Sequence, residues 1–147
     1  MVNFGMPMGP LRLLDEIGLD VGMHVAADLH NRLPDFEIPF SIEGEPGNIL
    51  ELGHLGKKTG KGFYIYNNGR RGDVNETLIR RLRKSVKVSN KDSENAIMQK
   101  LVQTMVDESQ KCVNEGIVDE ADTIDFAMIM GTGWAPFLGG PLQFSKQ

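Results

Sequence analysis

One phrase occurs twice in this chain. It runs Phe4-Gly-Met-Pro-Met-Gly-Pro-Leu-Arg-Leu-Leu-Asp15 near the start and Gly133-Trp-Ala-Pro-Phe-Leu-Gly-Gly-Pro-Leu-Gln-Phe144 near the end. Each copy passes through a proline, one or two glycines, a second proline and then apolar residues. A recurring unit of this kind marks one supersecondary element used twice. The first copy continues into a helix-like segment, and the second reaches Gln147 a few residues after its Gly-Pro. The expectation is the later part of one helical repeat over residues 1–91 and the earlier part of another over 92–147, folded together as one compact module.

Composition sets broad limits. With 147 residues, 40% of them apolar, the chain can build a core of ordinary size for one domain. A formal charge of −4 gives no electrostatic reason to expect nucleic acid as a partner. The basic residues between Arg70 and Lys91 read as a solvated helix face. The single cysteine, Cys112, excludes an internal disulfide and a cysteine-based zinc site, which fits a reducing, cytoplasmic setting. No apolar run approaches the roughly 18 to 20 residues that cross a bilayer, and no signal-peptide pattern follows Met1.

Gly9-Pro10 reads as a helix start, since proline at the first helical position gives up only an amide without an intrahelical partner. Leu11, Leu14 and Ile17 then share a face, and Gly18 breaks the run. Asp20 is placed to cap a second helix carrying Val21, Val25 and Leu29, which ends before Pro34. Residues 34–62 are rich in proline and glycine without sustained periodicity and read as a long irregular connection. Phe63-Tyr64-Ile65-Tyr66 is a short extended stretch, followed by turn residues Asn67-Asn68-Gly69.

Asp73 is expected to cap a third helix with Val74, Leu78 and Leu82 on one stripe and Arg80, Arg81, Arg83 and Lys84 on others. A long helix from Asp92-Ser93 to Glu115 carries Ile97, Leu101 and Met105 in one row, with Met98, Val102 and Val106 beside it. Gly116 stops it. A last helix from Asp122 to Met130 buries Ile124, Ala127 and Met128, and Gly131 ends it. Strand signal is confined to a few residues, and no βαβ alternation occurs. The expected fold is all-α with a long irregular Gly/Lys loop.

The candidate chemistry is sparse. The loop Leu55-Gly-Lys-Lys-Thr-Gly-Lys-Gly-Phe-Tyr64 offers Lys57, Lys58 and Lys61 to an anion, but Leu55 stands where a phosphate-binding P-loop needs its first glycine. Two readings stand side by side: a structural loop packed on helices, or a contact with an anionic ligand. Gly131-Thr-Gly133 fails as a dinucleotide fingerprint because Pro136 occupies the third glycine position. His24 and His30 fall on different helix faces, and His24 is expected to pair with Asp20 and Asp28. His54 has no carboxylate partner nearby in sequence. Adjacent acids such as Asp15-Glu16, Asp107-Glu108 and Asp119-Glu120 read as solvation or caps, and Cys112 as a small buried side chain. No metal ligand set is present.

These residues resemble one family. Phe4-Gly-Met-Pro-Met-Gly-Pro with Leu13-Leu-Asp and Gly18-Leu-Asp20 is similar to the helical-domain signature of the L-3-hydroxyacyl-CoA dehydrogenases, and Leu55 to Tyr64 resembles their characteristic loop. Glu115-Gly-Ile-Val, Ile124-Asp-Phe-Ala-Met128 and Gly131 to Pro141 resemble a second copy of the helical unit. Two copies in tandem match the multifunctional fatty-acid oxidation enzymes, in which enoyl-CoA hydratase and dehydrogenase parts share one chain.

The resemblance implies a parent that oxidises 3-hydroxyacyl-CoA with NAD. The family's dinucleotide fingerprint, its catalytic histidine in a His-Phe-Phe-Asn-Pro type segment and the glutamate that orients it have no counterpart here, so no catalytic or cofactor-binding residue transfers. The implied roles are supporting ones: Met6, Pro7, Met8, Gly9 and Pro10 walling the acyl pocket, and Lys57, Lys58 and Lys61 meeting the substrate. Implied partners are the parent's own N-terminal dinucleotide-binding domain, a second copy of the chain and a thiolase subunit. The competing reading is a non-enzymatic helical interaction module derived from that family.

Overall fold

In the computed structural model, residues 1–33, 49–85 and 92–147 are described; the sequence-based expectations for 34–48 and 86–91 lie outside them. Six α-helices and a single two-stranded sheet make the described chain mainly helical. The helices are α1 (Pro10–Ile17), α2 (Leu19–Arg32), α3 (Glu76–Ser85), α4 (Glu94–Asn114), α5 (Ala121–Thr132) and α6 (Pro141–Phe144). Strands β1 (Tyr64–Asn67) and β2 (Arg70–Val74) pair antiparallel. The chain divides into two compact units: Met1–Gly9 with Asn90–Gln147, and Pro10–Ser89.

The first unit is organised by Trp134. Its indole is fully buried against Val102 and Val106 of α4, with Met98, Met105, Met128 and Ile129 closing around them. Phe4 from the first phrase meets Trp134 and Phe144 from the second in edge-to-face contacts, at centroid separations of 5.0 and 5.5 Å. Such geometry places the positive ring edge on the negative face and adds to the area buried. The start of the first phrase therefore packs on the second within this unit.

α4 begins where Ser93 Oγ accepts from the Ala96 amide, and it ends before Gly116, which takes a φ of +70°. Of the two rows expected to share the burial, Val102 and Val106 go inward, whereas Ile97 and Leu101 are exposed. The helix buries one narrow stripe, against which α5, α6 and the segment carrying Met1 and Phe4 pack. α5 runs to Thr132, past Gly131, and closes on Gly133 in the left-handed region. Its inward residue is Asp125; Ala127, expected inside, faces solvent.

The second unit contains α1, α2, the hairpin and α3. Proline at the first position starts α1 as its chemistry requires. α2 is capped by Gly18, with Asp20 inside the first turn, so the expected Asp20 cap is corrected: the Asp20 carboxylate is drawn instead to Lys58. The shared face of Leu11 and Ile17, and that of Val21, Val25 and Leu29, remains exposed. The hairpin turn uses Asn68 and Gly69 at φ of +50° and +74°, the left-handed pair that matches the strand twist. Its second strand was not visible as one. Residues 70–74 form β2, Val74 pairs with Tyr64 and is exposed, and α3 starts only after Asn75.

Candidate functional site

The loop from Leu55 to Tyr64 is built around a buried acid. Asp15, on α1, is completely shielded from solvent; its Oδ1 accepts from the Phe63 amide at 2.8 Å and its Oδ2 from the Tyr64 amide at 2.9 Å. The Tyr66 hydroxyl donates to the same Oδ2 at 3.1 Å. Burial, and then the neighbouring Asp15 carboxylate, push the Tyr66 phenol well above its ordinary range, so it stays a donor. A sequence reading that assigned the Asp15-Glu16 pair to solvation missed this. Two glycines make room for the acid: a Cβ on Gly62 would collide with Asp15 Oδ1, and one on Gly56 with the Asp15 carbonyl oxygen.

The loop also closes on itself. Gly56 and Lys61 exchange backbone hydrogen bonds at 2.8 and 3.1 Å. The Thr59 hydroxyl accepts from the Leu55 amide at 2.9 Å. Asn75 completes the frame: its side-chain amide donates to the Gly62 carbonyl at 2.8 Å and to His54 Nδ1 at 3.0 Å, and its own backbone amide donates to the Phe63 carbonyl. His54, without a carboxylate neighbour in sequence, thus finds an amide from far along the chain.

The three loop lysines differ. Lys57 pairs with Glu16 at 2.7 Å, and Lys58 pairs with both oxygens of Asp20 at 2.5 and 2.7 Å. The Lys58 hydrogen bond draws the Asp20 carboxyl below the usual carboxylate range. Lys61 is exposed, with no ion-pair partner among the described residues. The expected pairing of His24 with Asp20 and Asp28 is corrected by the same geometry, because Lys58 takes Asp20 and Arg32 takes Asp28 at 2.9 Å.

Met6, Pro7, Met8 and Gly9 belong to the first unit, and Pro10 opens the second. Pro7 lies against Gly133, where an added Cβ would come within 2.9 Å of its ring, so the first phrase is held by the second. An open groove of about 810 Å³ runs beside Phe4, Met98, Val102 and Phe144 in this unit. Its one charged lining residue, Lys100, is paired with Asp92 at 2.5 Å. Cys112 is half-buried and not enclosed as expected. Among the described residues there is no group of three metal-ligating side chains, and no helix is long and apolar enough to cross a membrane.

Nicotinamide dinucleotide does not fit the described residues. Its pyrophosphate needs free amides at a glycine-rich turn between a strand and a helix. Gly62 of this loop instead packs on the Asp15 carboxylate, which repels phosphate, and the loop's paired Gly56 and Lys61 amides are spent within it.

The described residues form a mainly helical scaffold with an acid-anchored Gly/Lys loop and a doubled Gly-Pro phrase. Residues 1–66 match the family model described as 3-hydroxyacyl-CoA dehydrogenase, C-terminal domain. Over those residues the chain is similar to that family. It is 35% identical over 148 residues to a fatty acid oxidation complex subunit alpha of Vibrio campbellii, covering all of this chain and 20% of that protein. The protein of the same description from Psychrobacter cryohalolentis is 36% identical over 152 residues, covering all of this chain and 21% of its own. That from Shewanella putrefaciens is 35% identical over 147 residues, covering 98% of this chain and 20% of its own. The chain spans about one fifth of the length of these curated relatives.

Proposed function

We propose that residues 1–147 are a helical, non-catalytic part of an NAD-dependent L-3-hydroxyacyl-CoA dehydrogenase of fatty-acid β-oxidation, inactive without the rest of that enzyme. The observation that carries the reading is the Asp15-anchored loop: a motif shared with the family is committed to internal structure. In this reading Met6 to Pro10 help wall the acyl pocket, and the chain contributes by positioning substrate and excluding water once a dinucleotide-binding domain is in place. That domain, a second copy of the chain and a thiolase subunit are the partners, and the cytoplasm is the setting.

Within the loop, the coenzyme A end of the substrate falls to Lys61, because Lys57 and Lys58 are already paired with carboxylates. Calorimetric titration of coenzyme A into the chain tests this. Charge reversal in Lys61→Glu is expected to weaken binding about tenfold, as loss of one charge-assisted contact does, while Lys57→Ala leaves it nearly unchanged. Equal affinity for the Lys61→Glu variant assigns the loop a purely structural role.

A further inference from the structure

Lys57, Lys58 and Lys61 share one short loop, yet only two of them are held. The Lys57 amine lies 2.7 Å from Glu16 Oε2, and the Lys58 amine lies against both oxygens of Asp20. Lys61 is exposed and meets no carboxylate among the described residues. Lys100 and Lys111, in the other unit, are paired as well, with Asp92 and Glu108.

The backbone under Lys61 is fixed while its amine is free. Its amide donates to the Gly56 carbonyl at 3.1 Å, and its carbonyl accepts from the Gly56 amide at 2.8 Å and from the Thr59 hydroxyl at 3.1 Å. Gly60 and Gly62 flank it, so neither neighbour in the chain brings a side chain that would screen the amine. An electrophile must reach the nitrogen lone pair, and an amine engaged with a carboxylate has to leave that partner first. Lys61 has no such partner to leave.

We propose that Lys61 is a site of N-acylation by acyl thioesters, preferred over Lys57 and Lys58 because no carboxylate holds its amine. In the step, the deprotonated Lys61 Nζ attacks the thioester carbonyl carbon. A C–N amide bond forms, the C–S bond breaks, and the sulfur leaves with the bonding electron pair. The proton shed by the nitrogen passes through solvent to that sulfur, so the products are an amide and a free thiol and no other reactant is consumed. Acylation removes the Lys61 charge. The dehydrogenase reading is what brings acyl thioesters to this loop, whereas the ranking of the three amines rests on their ion pairs alone.

The test uses the 147-residue chain and S-acetyl-N-acetylcysteamine, a small thioester that carries no phosphate, in mildly alkaline buffer. Acetylation at each lysine is followed by peptide mass spectrometry. Lys61 should be acetylated about threefold faster than Lys57 or Lys58, the scale on which an exposed ion pair holds its partners. Glu16→Gln should raise the rate at Lys57 and leave Lys58 as it was, and Asp20→Asn should do the reverse. In urea the three rates should converge, because Glu16 and Asp20 reach these lysines only through the fold. Equal rates in the folded chain, a ranking that survives in urea, or variants that leave the ranking unaltered would overturn the proposal. That failure would leave the coenzyme A contact at Lys61 standing, since this reagent offers no coenzyme A, and a failed coenzyme A titration would likewise leave the ranking standing.

Discussion

Replacing Asp15 by alanine should detach the hairpin from α1 and cost about 4 kcal/mol, the sum of several buried donors left without an acceptor. Three groups lose their partner at once: the Phe63 amide, the Tyr64 amide and the Tyr66 hydroxyl. Asparagine fills the same space but offers one carbonyl oxygen, so Asp15→Asn should cost roughly half as much. The expected signature is local. Amide hydrogen exchange at Phe63 and Tyr64 should accelerate far more than exchange at Val102 or Val106, which lie in the other unit. Uniform acceleration across both units, or protection retained at Phe63 and Tyr64, would show that Asp15 does not hold this loop.

Trp134→Ala is the second large effect, at about 3 to 5 kcal/mol for removing a fully enclosed aromatic side chain. Trp134 touches Phe4, Phe144 and residues of α4, so its loss removes the centre of this unit's aromatic cluster. Phe4→Ala removes a more exposed ring and should cost less. Urea unfolding followed by circular dichroism, with exchange at Val102 and Val106, measures both. A Trp134→Ala protein with wild-type midpoint would mean that the aromatic cluster is incidental to the fold.

Helices with an apolar repeat and a chemical stop were legible in the sequence. Gly9-Pro10, Ser93 and Gly116 mark boundaries through backbone chemistry alone, and the structure places α1 and α4 beside them. β2 was not legible. Arg70 to Val74 is exposed along its length, so it carries no alternation of apolar and polar residues, and only pairing with β1 makes it a strand. The faces of α2 and α4 were found by periodicity, yet periodicity could not say which stripe finds a neighbour. Val102 and Val106 found one and Ile97 did not.

Both buried acids escaped for one reason. Asp15 and Asp125 satisfy backbone amides 48 and 17 residues downstream, and no local pattern reports a bond across that distance. The glycines opposite them were visible as glycines, but their purpose appears only when the carboxylate is seen against them. Lys57, Lys58 and Lys61 look equivalent in sequence. Tertiary placement of Glu16 and Asp20 separates them into two paired amines and one exposed amine.

In the proposed function, this chain lends shape to a dehydrogenase and carries none of its hydride chemistry. Incubating the pure 147-residue chain with 3-hydroxyacyl-CoA and NAD, and following NADH by its absorbance, tests it most directly. The expected result is no NADH beyond that formed without protein. Steady NADH formation by the chain alone would contradict the account.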